Sequence, residues 1–325
     1  ERETAFRAVD ETVGDGTMDV PVPSMLIEPI YDDEPKTDRE VEKHPEKEDI
    51  RAAAWKEIQQ LIEMSVGVML DDAQTRKVEK DPATKILRSK MVYKRKYQIS
   101  PVDGREYFLK WKARLAAVGT GQEPGVDTVW NTFSPTIGFT AIRTLIATMC
   151  DPKWHVDSYD LSGAYLGTKL DDQAVYMRLP AGSGEYSNKV LRLTRNIYGL
   201  KGASKAFMNQ LGDEIDKFSE RVETVDPKNP SGPKRVTYAR FERMITDQCM
   251  YRYRDGLGRE MIFASYVDDI ICCTTDRELR DRFFEHLRKT WAVTHEGTLD
   301  RFLGIHFERS KDGGMWSATM STYIE

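Results

Sequence analysis

Phe263-Ala264-Ser265-Tyr266-Val267-Asp268-Asp269-Ile270-Ile271-Cys272-Cys273 is the stretch on which the fold turns. Two acids sit between short runs rich in β-formers. Two strands joined by a tight turn are expected, with Asp268 and Asp269 side by side at its tip and close to the sheet surface. A bare pair of acids there is an ordinary turn feature. A second site with the same surroundings shifts the balance. Asp160 ends the run Trp154-His155-Val156-Asp157-Ser158-Tyr159 and precedes Leu161-Ser162-Gly163-Ala164-Tyr165-Leu166. Three carboxylates at the ends of neighbouring strands repel one another unless divalent cations neutralise them. Hard oxygen ligands suit Mg²⁺, and two such ions about 3.5–4 Å apart can clamp an in-line phosphoryl displacement.

Working outward, Arg51 to Met64 places Ala54, Trp55, Ile58, Leu61 and Ile62 at helical spacing. Ile86 to Ile99 and Glu106 to Leu115 read as strands around the turn Ser100 to Gly104. Thr140 to Met149, Leu200 to Phe218 and Thr275 to Thr290 read as helices, the last carrying Leu279, Phe283, Phe284 and Leu287. Residues 247–275 read as one or two hairpins with Asp255 to Gly258 as a turn, and 220–235 as a polar loop. No internal repeat is present.

The 325 residues suit one large domain or two modest ones. No apolar run approaches the roughly 18 residues of a membrane span. The chain starts at Glu1 with no secretory leader, which reads as an intracellular fragment, cytoplasmic or nuclear rather than secreted. Cys150, Cys249, Cys272 and Cys273 are too scattered for a disulfide framework and contain no CxxC for zinc. Residues 1–50 hold 16 acids and 6 bases, leaving 37 acids and 42 bases for the rest. With five prolines and no periodicity, residues 1–49 read as an acidic disordered linker, and the folded part, 50–325, as mildly basic. Residues 85–114 carry ten bases, two acids and five aromatics, the composition of a surface that meets phosphates and stacks bases, with Lys94, Arg95 and Lys96 as contacts. A solvated basic hairpin has the same composition. His155 and His306 read as structural histidines and the methionines as core filler.

From about Ala52 onward the sequence resembles the reverse transcriptase of copia-type long-terminal-repeat retrotransposons. The blocks are Lys112-Ala113-Arg114-Leu115, Gly119 with Gln122 and Gly125, Thr132-Phe133-Ser134-Pro135, and Asp160 with Ala164-Tyr165-Leu166. Val175-Tyr176-Met177, Tyr198-Gly199-Leu200-Lys201, Tyr266-Val267-Asp268-Asp269 and Phe302-Leu303-Gly304-Ile305 complete them in order. The resemblance implies an α+β right-hand polymerase of fingers and palm, the palm an antiparallel sheet backed by helices. It implies Asp160, Asp268 and Asp269 as catalytic metal ligands for two Mg²⁺ ions, with Mn²⁺ as a substitute and Asp269 more peripheral. It also implies Lys112 and Arg114 at the triphosphate, Tyr165 beneath the sugar, and Tyr198 and Gly199 in the nucleotide pocket. The expected partners are a primed RNA or DNA template and a deoxynucleoside triphosphate. The thumb would be incomplete and the RNase H portion of the polyprotein absent. Gly202, Ser204 and Phe207 depart from the family pattern, and residues 220–235 read as an insertion. The alternative is a degenerate or domesticated copy that binds nucleic acid without catalysis.

Overall fold

The computed structural model describes residues 34–99, 106–126, 128–129, 131–170, 174–226, 228–310 and 315–319. The chain runs α1 (Asp38–Val41), α2 (Lys47–Glu63), β1 (Gly67–Met69), α3 (Asp72–Lys80), β2 (Ile86–Leu87), β3 (Ser89–Ile99), β4 (Glu106–Ala117) and α4 (Phe139–Met149). It continues with β5 (His155–Ser162), β6 (Tyr176–Arg178), β7 (Val190–Leu193), α5 (Ala203–Lys217), β8 (Ser219–Thr224), β9 (Arg235–Arg243) and β10 (Met250–Arg254). The last elements are β11 (Glu260–Tyr266), β12 (Asp269–Thr274), α6 (Arg277–Leu287), β13 (Ala292–Thr298), β14 (Arg301–Phe302), β15 (Ile305–Arg309) and β16 (Trp316–Thr319). The result is a mixed α and β fold with several sheets.

One core forms on a seven-stranded antiparallel sheet in the order β13-β5-β12-β11-β10-β9-β8. The apolar residues Leu279, Phe283, Phe284 and Leu287 make one stripe of α6, and all are buried. Asp276 caps that helix by accepting the Leu279 N–H at 2.8 Å. Phe283 and Phe284 pack on Phe263, and Phe284 stacks on Tyr159. Phe218, just after α5, meets Phe241 and Phe283 from the same side. Each such ring contributes about 1.5–3 kcal/mol by leaving water. Under the sheet, Arg280 of α6 pairs with the buried Asp157 of β5. Because strand side chains alternate, Asp157 and Tyr159 turn toward α6 and Asp160 emerges on the opposite face.

The second core joins α2 to the β3–β4 hairpin and a four-stranded sheet ordered β1-β7-β6-β2. Register pairs Tyr93 with Ala113, Met91 with Leu115 and Arg95 with Trp111, so these side chains share the face against α2. Lys94 pairs with Lys112, Val92 with Arg114 and Lys96 with Lys110 on the other face. One hairpin thus has an apolar face for packing and a cationic face for something else. The expected turn at Ser100 to Gly104 lies outside the described residues.

Several expectations need correction. Residues 34–49, assigned to the acidic linker, are ordered: Thr37 caps α1, Val41 is fully buried, and α2 begins at Lys47 rather than after Ile50. Their acids pair with distant bases, Glu34 with Lys94, Asp38 with Arg51 and Glu46 with Arg95. The rest of the linker expectation, residues 1–33, lies outside the described residues. On α2, Ile62 is exposed and Trp55 stacks on Tyr186 instead of entering the main stripe. Residues 220–235 are not one loop. Ser219 to Thr224 pairs with Arg235 to Arg240, leaving only the chain between them as a connection. The strand at 86–99 splits, since Ile86 and Leu87 pair in parallel with β6 in another sheet. The helix α3 was not expected, although Asp71 and Gln74 form a capping box. No helix of the described residues is long and apolar enough to cross a membrane. All four cysteines are free thiols.

Candidate active site

Asp268 lies in the turn between β11 and β12, as the sequence suggests, whereas Asp269 is not at the tip but is the first residue of β12. Tyr266 pairs with Asp269, which leaves Val267 and Asp268 as a two-residue turn. Val267 has φ +54°, a left-handed conformation that a β-branched residue adopts only under strain. Such strain is a feature of sites held by their surroundings. Leu161 N–H donates to the Asp268 carbonyl at 2.9 Å, which ties the turn to β5.

Asp160 lies within β5, two residues before its end, rather than at its tip. It pairs across the ladder with Asp269 on one side and Thr294 of β13 on the other. Residues directly opposed in antiparallel strands project to the same face, so Asp160 and Asp269 emerge together. Ser162 Oγ donates to the Asp160 carboxylate at 2.6 Å. Asp160 and Asp268 line one cavity of about 440 Å³ with Lys96, Lys112 and Arg114. The cationic face of the hairpin is therefore set against the acidic face of the sheet.

The charges respond to this crowding. Desolvation, followed by Asp268 and Asp160, pushes the Asp269 carboxyl up to about 6. Desolvation and the Asp160 charge hold Asp268 above the ordinary carboxylate value, although Arg114 and Lys112 pull the other way. Desolvation lowers Lys112, with Arg114 and Lys96 adding to it against Asp160 and Asp268. Carboxylate oxygens carrying uncompensated repulsion are the donor set a hard divalent cation suits. Among the described residues, no group of three or more His, Cys, Asp or Glu side chains is arranged to hold a metal ion. The fit rests on donor chemistry and backbone placement, not on a ready-made cage.

Other expected residues divide. Arg114 lines the cavity and lies 5.5 Å above the Tyr198 ring. Tyr165 is half-buried, edge-on to Tyr198 at 5.1 Å and to Phe207 at 6.1 Å. Gly199 has φ +88°, and a Cβ there would stand 2.1 Å from the Ala117 carbonyl oxygen. Backbone approach alone requires that glycine. Arg95, expected at phosphates, turns inward instead. Its guanidinium pairs with Glu46 at 2.8 Å and lies over Phe108 and Trp111. Lys94 is exposed but paired with Glu34, while Lys96 lines the cavity. Of the three basic contacts expected, the structure leaves Lys96 nearest the carboxylates.

Sequence reasoning missed two acids. Glu57 is buried on α2, where its signal was an acid on an apolar helical stripe. Glu296 sits where β13 shifts register against β5, and its carboxyl is raised by desolvation and then by Asp160. A bulge has no readable signature in that stretch.

An acidic sheet face is thus set against a basic hairpin, and comparison with known proteins shows what the chain is similar to. Residues 74–226 match the model of the reverse transcriptase (RNA-dependent DNA polymerase) family. The chain is 27% identical over 299 residues to the retrovirus-related Pol polyprotein from transposon TNT 1-94 of Nicotiana tabacum, covering 91% of this chain and 20% of that protein. It is 30% identical over 207 residues to the corresponding polyprotein from transposon RE1 of Arabidopsis thaliana, covering 63% of this chain and 12% of that one. The RE2 polyprotein of the same plant gives 31% over 207 residues, with the same 63% and 12%. By these matches residues 74–226 are similar to a reverse transcriptase domain, and the chain spans a fifth or less of the length of these relatives.

Proposed function

We propose that this domain is an RNA-directed DNA polymerase core, joining a deoxynucleoside triphosphate to a primer 3′-hydroxyl on an RNA or DNA template. The seven-stranded sheet with α5 and α6 serves as the palm, and the β3–β4 hairpin as the fingers. The observation that carries this reading is the shared cavity, where Lys112 and Arg114 stand opposite Asp160 and Asp268.

The residues divide the work by charge. Arg114 offers a planar fork to phosphate oxygens, and Lys112 a compact positive charge. Asp160, Asp268 and, more peripherally, Asp269 would hold Mg²⁺, which lowers the pKa of the attacking hydroxyl and stabilises charge on the leaving pyrophosphate. Ser162 orients the Asp160 carboxylate through its hydroxyl. The tie from Leu161 N–H to the Asp268 carbonyl keeps both acid-bearing strands in register. Tyr165 and Tyr198 form an aromatic wall on the side of Asp268, to which both phenols respond electrostatically.

Primer extension with Mg²⁺, and then with Mn²⁺, tests the reading. The parent chain should extend a primed template, and Asp268→Asn should abolish extension while retaining template affinity. Template binding without extension by the parent would establish the alternative, a copy that binds nucleic acid without catalysis.

A further inference from the structure

We propose that Glu57 is a positioning residue that aims Arg114 at the incoming triphosphate, an inference that rests on the polymerase reading of this cavity. Glu57 stands on the apolar stripe of α2 between Ala54 and Leu61 and is only 3% exposed. A carboxylate in that setting destabilises the fold unless it is paired and hydrogen-bonded. A leucine would pack there without that penalty.

Both Glu57 oxygens are engaged with one strand. One accepts the Leu115 N–H at 3.1 Å, and the other accepts from Arg114 Nη1 at 3.0 Å. The carboxylate thereby grips the backbone and the side chain of adjacent residues of β4. On another side the guanidinium lies over the Tyr198 ring. A guanidinium has five N–H donors, so Glu57 leaves most of the fork for a ligand in the cavity that Arg114 lines. An arginine held by a carboxylate and a ring has little rotamer freedom left to lose on binding.

Two effects oppose each other when the Glu57 charge is removed. The cavity becomes more positive, which favours a triphosphate. Arg114 also becomes free to rotate, which binding must then reverse. The first effect is diluted among Lys96, Lys112 and Arg114 and screened by solvent at the cavity mouth. The second falls wholly on one side chain, so positioning should dominate.

Calorimetric titration of the full chain with dGTP and Mg²⁺ tests this with Glu57→Gln, Arg114→Ala and the double variant. The Gln amide oxygen still accepts the Leu115 N–H, so the contact between α2 and β4 persists. Glu57→Gln should weaken dGTP binding about five- to tenfold, the cost of one freed side chain. Affinity for primed template and the thermal midpoint should stay near the parent's. In the Arg114→Ala background the same change should have no further effect on dGTP. Unchanged dGTP affinity, or an equal loss with and without Arg114, would overturn the proposal. If Glu57→Gln unfolds the chain, Glu57→Asp replaces it: the charge stays but the reach is lost, and the same coupling to Arg114 is required. A parent that binds dGTP yet never extends a primer refutes the polymerase reading and leaves Glu57 to be judged by binding. A parent that does not bind dGTP overturns both.

Discussion

Asp160 of β5 and Asp269 of β12 stand directly opposite each other in the ladder, two acids projecting from one face of the sheet. Nothing in strand geometry favours that pairing, since like charges across a ladder destabilise it. The expense is visible in Asp269, whose carboxyl rises from 3.8 to about 6, chiefly through desolvation and then through Asp268 and Asp160. A raised folded-state value means that the folded protein holds its proton more tightly than the unfolded chain. Stability from this group is therefore complete below about 4 and lost as pH climbs toward 6 and beyond.

Asp269→Asn should remove that loss. Without divalent metal, variant and parent should melt alike near pH 4, and the variant should gain steadily in midpoint up to about pH 6.5. Thermal scans across that range check it. A difference between the two that is independent of pH would mean the carboxylate is not repelled by its neighbours.

Arg280 and Asp157 make the opposite case, a pair the fold cannot lose. The two are buried between α6 and β5, with His295 3.6 Å from the far carboxylate oxygen. Arg280→Ala leaves Asp157 charged in the core and should destabilise the protein by about 3–5 kcal/mol. Denaturant unfolding measures it. A loss under about 1 kcal/mol would mean that solvent or His295 replaces the arginine.

The hairpin around Asp268 and Asp269 was legible because β-formers flank a two-residue turn, and Leu279, Phe283, Phe284 and Leu287 announced their helix by spacing. What stayed hidden depends on partners far away in sequence. Arg95 was read by charge, yet strand parity places it with Tyr93 and Met91 on the packed face. The strands β8 and β9 were masked by the polar chain between them, although Val222 is buried and Phe241 joins the core. Gly199 is placed in the pocket by the family resemblance. Its cause is the Ala117 carbonyl, 82 positions earlier, which no local pattern reveals.

The segment before Ile50 gives a prediction opposite to its composition. Glu46 accepts from Arg95 Nη2 at 2.8 Å and from Trp111 Nε1 at 2.7 Å, and both donors belong to the packed face of the hairpin. Glu46→Ala strands a nearly buried guanidinium and an indole N–H, and should cost about 3 kcal/mol. Deletion of residues 1–49 should lower the thermal midpoint by more. An unchanged midpoint on that deletion would restore the linker reading for the whole segment.

Sugar selection is the prediction that best separates a polymerase from a nucleic-acid binder. Tyr165 lies five residues after Asp160, and burial raises its phenol, with Ser204 opposing as a hydrogen-bond partner and the Asp268 charge adding to the rise. Its ring is propped edge-on by Tyr198 and Phe207, which fixes its position better than a lone surface aromatic could manage. The family resemblance implies that this ring lies beneath the incoming sugar, where it would leave no room for a 2′-hydroxyl. Steric rejection adds cost to the ribonucleotide without adding a contact to the deoxynucleotide. Tyr165→Ala should therefore raise ribonucleotide efficiency relative to deoxynucleotide by the equivalent of about 1–3 kcal/mol. Tyr165→Phe should keep the discrimination, because the ring remains and only the hydroxyl near Ser204 is lost. Single-nucleotide incorporation on one primed template, with both substrates and the parent alongside, gives the ratio directly. An equal fall in both efficiencies for Tyr165→Ala would show that the ring serves the packing of Tyr198 and Phe207 rather than the choice of sugar.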